Sequence, residues 1–253
     1  MLANFDGLVW LAVLLAPLLF VQRRVHGEIQ AVFLLLTRRA EIALVLFSLL
    51  FLPGVLLHEM SHFLMAAILR VDIGRFSLAP RYLPDGRLQL GFVETAQADV
   101  VRDALVGLAP LLSGSAFVIF GGLQLGLMSV WENLAPLNAA GLWDALASLP
   151  GQPDFWLWFY LTFTVSSTML PSAADRRAWL PILLSAAGLL LLAALAGAGG
   201  WLMANLAPPF NRGLHTLDAA LGITLALHVA LWGPVWGARK LLSRVTGLQI
   251  AVL

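Results

Sequence analysis

His58-Glu59-Met60-Ser61-His62 combine residue types and spacing that suit metal-dependent hydrolysis. On a helix, positions i and i+4 stand one above the other, so both imidazoles can reach one cation. Glu59 is turned about 100° from His58 at 3.6 residues per turn, which places it beside the ion rather than on it. That is the position of a general base for a metal-activated water. With five His and five Glu in 253 residues, chance gives His-Glu-x-x-His in about 1 in 500 such chains, so the spacing is a signal. The flanks, Leu56-Leu57 and Phe63-Leu64, embed the trio in an apolar run. An ionisable residue there costs roughly 2.5–3.5 kcal/mol to insert into a membrane and is retained for function. The competing reading is two histidines bonded to neighbouring helices around a protonated Glu59.

Two imidazoles are too few, because catalytic zinc takes three protein ligands and keeps a fourth position open. The chain has no cysteine. Thiolate sites, disulfides and cysteine nucleophiles are excluded together, and His and carboxylate remain as ligands. His26 and His215 fall in connections expected on the far side of the membrane. His228, inside a later apolar stretch, reads as a helix-to-helix hydrogen bond. Asp103 opens a span and is expected near the interface, below the His pair. Asp175 follows a span directly, after Pro171-Ser172, where irregular backbone can turn a carboxylate back into the bundle. It reads equally as a loop aspartate paired with Arg176 or Arg177.

The solvent for all this is lipid. Hydrophobic residues make up 60% of the chain and charged residues 11%, and mean hydropathy is +0.88; a soluble domain is nearer 45–50% apolar and about 25% charged. A formal charge of +1 offers no basic patch for nucleic acid. The N-terminal apolar run, Leu8 to Val21, follows Asp6 rather than Lys or Arg and reads as a retained span, not a signal peptide. Compactness and absent cysteine fit a prokaryotic plasma membrane.

Six stretches approach the ~20 apolar residues a crossing needs: 5–21, 42–70, 103–128, 155–171, 179–204 and 217–237. Backbone in lipid must satisfy its own hydrogen bonds, so these are expected to be helices. The expected fold is an all-α integral membrane bundle of about six transmembrane helices, forming a single membrane domain over 1–253. Pro53-Gly54 predicts a kink in the second span, and the short apolar piece Ile29–Leu36 is expected at the interface. The loop 71–102 differs. Phe76–Leu78 and Arg87–Phe92 alternate at period two around Leu83-Pro84-Asp85-Gly86, which predicts a β-hairpin after the second span. With 71–102, 171–178 and the tail after 237 on one side, Lys and Arg divide ten against five, which places that side and both termini in the cytoplasm.

His58, Glu59 and His62 in a span, the hairpin at 75–94 and the later Pro171-Ser172-Ala173-Ala174-Asp175 segment resemble the site-2 protease family of intramembrane zinc metalloproteases. The resemblance covers roughly 42–178. It implies a metalloprotease core of three helices (42–70, 103–128 and 155–175), Zn²⁺ held by His58, His62 and Asp175, and Glu59 as catalytic residue. Residues 179–253 then form peripheral spans and a tail. The family carries an Asn before that Pro, thought to hold substrate backbone, and a Gly after the Asp. This chain has Ser166, Ser167 and Thr168 in place of the first and Arg176 in place of the second. Gly107, Pro110, Ser113 and Gly114 resemble the family's small-residue stretch and also suit close helix packing.

The expected function is that of an intramembrane zinc metalloprotease acting on a membrane-protein substrate. The hairpin offers an edge to which an extended substrate segment could add as a strand. The alternative is a non-proteolytic membrane subunit that retains the metal site. The longest connections are about 30 residues, so substrate selection falls to the spans, the loops or a membrane partner subunit. A transporter is disfavoured by the lack of polar pathway residues elsewhere in the spans.

Overall fold

The computed structural model describes residues 5–82, 88–134 and 138–250. Among them the helices are α1 (Asp6–Thr37), α2 (Ala40–Ile68), α3 (Val100–Gln124), α4 (Leu127–Leu134), α5 (Ala139–Ser148), α6 (Phe155–Thr168), α7 (Trp179–Ala193), α8 (Gly199–Asn205) and α9 (Ala207–Thr246). The strands are β1 (Ile73–Ser77), β2 (Arg81–Tyr82), β3 (Leu88–Gln89) and β4 (Phe92–Thr95). Five helical segments are long and apolar enough to cross a bilayer: α1, α2, α3, α7 continued into α8, and α9. The chain is a multi-pass helical membrane protein. The expected span at 155–171 is the shorter α6, of 14 residues.

The hairpin forms as two successive antiparallel ladders. In one, β1 pairs with β4, Phe76 facing Val93 and Ser77 facing Phe92; in the other, β2 pairs with β3. The expected turn, Leu83-Pro84-Asp85-Gly86, lies outside the described residues. Leu78 and Leu90 pack on the cluster of Val25, Phe47, Phe51 and Val55, so the apolar side of the hairpin rests on helices.

Ile29–Leu36 is not a separate interfacial piece. It is the last part of α1, which runs unbroken for 32 residues. Two of the charges that interrupt its hydropathy have partners: Arg24 lies over the Phe20 ring at 5.3 Å, and buried Glu28 pairs with Arg239 of α9. Pro53 likewise lies within an unbroken α2.

Helix directions follow from contacts. A two-residue turn joins α1 to α2, and His26 packs edge-on to Phe47 and Phe51, so the two helices are antiparallel and the hairpin leaves α2 at the lower end, where α1 begins. Tyr160 donates to the Leu50 carbonyl at 3.0 Å and His58 meets Thr168, so α6 descends beside α2. The last helix is the surprise. Asn211 bonds Gly7 and Asp6, while Arg239 bonds Glu28, so α9 is parallel to α1. Leu11, Leu14, Leu18, Val21 and Val25 step by three and four along α1, as in a coiled-coil seam, and Leu18 and Val25 are fully buried.

A parallel α9 must start at the lower end, where the chain already stands after α6. Segment 179–205 therefore leaves and returns on one side, bending at Gly197 with φ 91°. None of the residues in its most apolar window is buried, and an all-apolar helix unburied by protein faces lipid. The tail after 237 thus lies opposite the hairpin, not beside it. Arg239, Lys240 and Arg244 change sides, Arg212 moves the other way, and the expected ten-to-five charge excess disappears.

Candidate metal centre

Each of the three groups that could hold a metal, His58, His62 and Asp175, is set by a different constraint. His58 and His62 stand one turn apart on α2, their rings edge to face with centroids 4.9 Å apart. The Nδ1 of His58 lies 2.7 Å from the Thr168 carbonyl and that of His62 lies 2.9 Å from the Val106 carbonyl. A carbonyl only accepts, so both Nδ1 atoms carry the proton and, in the neutral rings, both Nε2 atoms present lone pairs. This is the outer-shell arrangement that fixes metal-binding imidazoles.

Asp175 arrives from the segment after α6. That helix ends at Thr168, and Pro171 has no N–H with which to continue it. Ser172 then folds the chain onto itself. Its N–H donates to Asp175 Oδ2 at 2.6 Å, and the Asp175 N–H donates to Ser172 Oγ at 3.3 Å. Oδ1 is left facing His62.

The three groups meet. His62 Nε2 is 3.3 Å from His58 Nε2 and 3.2 Å from Asp175 Oδ1, and His58 Nε2 is 3.8 Å from Asp175 Oδ2. Ligands at 2.0–2.1 Å on a tetrahedral zinc stand about 3.3 Å apart. Two lone pairs and a carboxylate at this separation, with both Nδ1 protons committed elsewhere, repel one another unless a metal ion or a further proton lies between them. The residues present fit zinc in type, number and spacing.

Glu59 is buried on α2 beside the trio. Gly91 makes room for it: a Cβ at 91 would lie 3.1 Å from Glu59 Cγ and 2.9 Å from Val55 Cγ1. A cavity of about 370 Å³ opens onto His58, Glu59, His62 and Asp175, with the stretch Gly91–Thr95, including β4, on one wall.

The remaining candidates go elsewhere. Asp103 accepts from the Ala98 N–H and pairs with Arg177 at 3.1 Å on the cavity wall. Arg177 is therefore not paired with Asp175, and the Arg176 side chain donates to the Ser172 carbonyl. His26 is not in a connection but inside α1, 6.1 Å from His228. His215 is likewise within α9, against Asp6 and Asp218. His228 is fully buried and bridges α9 to Ser167 of α6 at 3.0 Å. At the head of α3, Asp99 caps the helix, and the N–H groups of Arg102 and Val101 hold its carboxyl below the usual range.

Ser172 and the carbonyls of Thr168 and Val106 were not among the expected site residues. The Ser-x-x-Asp spacing after a proline is a turn signature that points to the first; carbonyl acceptors leave no trace in side-chain identity.

No protein-family model matches the chain, and neither a curated protein nor a solved structure is similar to it.

Proposed function

We propose that the chain is an intramembrane zinc metalloprotease, with His58, His62 and Asp175 as ligands and Glu59 as general base. The observation that carries this reading is the convergence of two imidazole Nε2 atoms and a carboxylate at 3.2–3.8 Å, with Glu59 alongside, inside a lipid-embedded bundle. Zinc held in this place would supply a Lewis acid that lowers the pKa of bound water towards about 7. Glu59 takes the proton of the attacking water and delivers it to the departing amide nitrogen. Asp175 and Glu59 together offset a divalent charge, which a low-dielectric site favours over an uncompensated one. The wall formed by β4 offers an extended segment backbone partners beside the ligands.

One observation favours the non-proteolytic alternative. The hydroxyls of Ser166, Ser167 and Thr168 are engaged with Phe163, His228 and Val165, so none takes over the substrate contact implied for the family's Asn.

The deciding experiment compares the purified protein with Glu59→Gln for zinc content and for cleavage of single-span substrates. Zinc in both and cleavage only in the parent supports the protease. Zinc in both and cleavage in neither supports the subunit, and no zinc in the parent removes both readings.

A further inference from the structure

Three glycines seven residues apart, Gly107, Gly114 and Gly121, lie along α3, and each accommodates a residue of the descending chain. A Cβ on Gly121 would overlap the Thr162 hydroxyl, and one on Gly114 would overlap the Met169 Cβ. One on Gly107 would overlap the Asp175 carbonyl oxygen and stand 2.9 Å from its carbon and 3.3 Å from its Cα. A seven-residue step is nearly two helical turns, so the three positions form one groove. The antiparallel segment 162–175 runs along it, from α6 through the break at Pro171.

The three seats are not equivalent. At Gly121 the nearest atom is the Thr162 hydroxyl, which can turn aside, and at Gly114 it is the Met169 Cβ, which moves only with a backbone that lies before the Pro171 break. At Gly107 the nearest atoms are backbone, and they are the backbone of the third ligand itself. Asp175 Oδ1 stands 3.2 Å from His62 Nε2, while the Val106 carbonyl, one residue before Gly107, holds the Nδ1 of the same imidazole at 2.9 Å. Two consecutive residues of α3 therefore set the distance between the second ligand and the third. Val106 orients the ring, and the bare Cα of Gly107 sets how closely Asp175 approaches it.

We propose that Gly107 is a positioning residue for the metal ligand Asp175, its missing side chain fixing the depth at which the carboxylate reaches the two imidazoles. This rests on the metal-site reading above. A methyl group at 107 displaces the Asp175 backbone from α3 and opens the ligand triangle. The methylene that distinguishes Glu from Asp restores the lost reach.

The test uses the full-length protein in detergent, with Co²⁺ as a spectroscopic replacement for zinc. Affinity and the visible absorption of the bound ion are recorded for the parent, Gly107→Ala, Gly114→Ala, Gly121→Ala and the double variant Gly107→Ala/Asp175→Glu. The expected result is at least about tenfold weaker binding and an altered spectrum for Gly107→Ala alone, the size that outer-shell changes produce. Gly114→Ala and Gly121→Ala lower thermal stability but keep the parent spectrum, and the double variant recovers affinity. Parent-like binding by Gly107→Ala overturns the proposal. So does the same spectral change in all three alanine variants, since the groove would then serve general packing. Failure of Gly107→Ala to accumulate also counts against it, because a positioning residue leaves the fold standing. A parent that binds no Co²⁺ defeats the metal reading instead.

Discussion

His58 donates its Nδ1 proton to the Thr168 carbonyl across 2.7 Å, so the first candidate ligand is oriented by the helix that leads to the third. The two helices can lie this close because Gly54 faces α6. A Cβ on Gly54 would overlap the Thr164 carbonyl oxygen and stand 2.6 Å from Thr168 Oγ1.

Gly54→Ala is expected to destabilise the protein by about 1–3 kcal/mol, the usual cost of overpacking. On helix propensity alone the same change would stabilise by up to about 1 kcal/mol, so the sign decides. A thermal melt in detergent reads it; an unchanged or higher midpoint contradicts the close approach.

Asp175→Asn keeps an acceptor for the Ser172 N–H and removes the charge. Zinc affinity, measured by competition with a chelating dye, is expected to fall at least about tenfold. An unchanged affinity would take Asp175 out of the ligand set.

Glu28 and Arg239 form an ion pair between α1 and α9. Removing one partner, as in Arg239→Met, strands the buried Glu28 carboxylate and is expected to cost about 3–5 kcal/mol. Replacing both with Met should recover most of that loss. Equal losses in the single and double variants would show that the charges are not coupled.

The parallel course of α1 and α9 puts Gln249 on the side of Arg38 and opposite Gln97. The absence of native cysteine makes this directly measurable. Single cysteines at 38, 97 and 249 are labelled in sealed oriented vesicles with a membrane-impermeant maleimide. Cysteines at 38 and 249 should react together and the one at 97 from the other side; reaction of 97 and 249 together would restore the six-crossing arrangement.

The readability of these features differed for physical reasons. His58, Glu59 and His62 are legible because helical periodicity alone brings two of them onto one face. The hairpin is legible because Phe76–Leu78 and Arg87–Phe92 alternate at period two. Asp175 has no periodic relation to α2; the Pro171-Ser172 break left it level with a loop aspartate and the resemblance favoured it, while the Ser172 turn and the Gly107 seat that place it depend on chain segments meeting in space. The length of α1 was obscured by Arg24 and Glu28, whose cost in lipid is offset by Phe20 and Arg239, residues a sliding window does not pair with them. Segment 179–205 deceived for the opposite reason. It is apolar enough to cross, but hydropathy measures solvent preference and not direction, and the bend at Gly197 with the contacts of Asn211 sets the direction.

The seam between α1 and α9 also imposes an order of assembly. Glu28 leaves the ribosome 211 residues before Arg239, an interval of about 10–40 s at ordinary elongation rates of 5–20 residues per second. During that time the guanidinium that it meets in the folded protein has not been made. The seam between the first helix and the last can therefore close only when synthesis is almost finished.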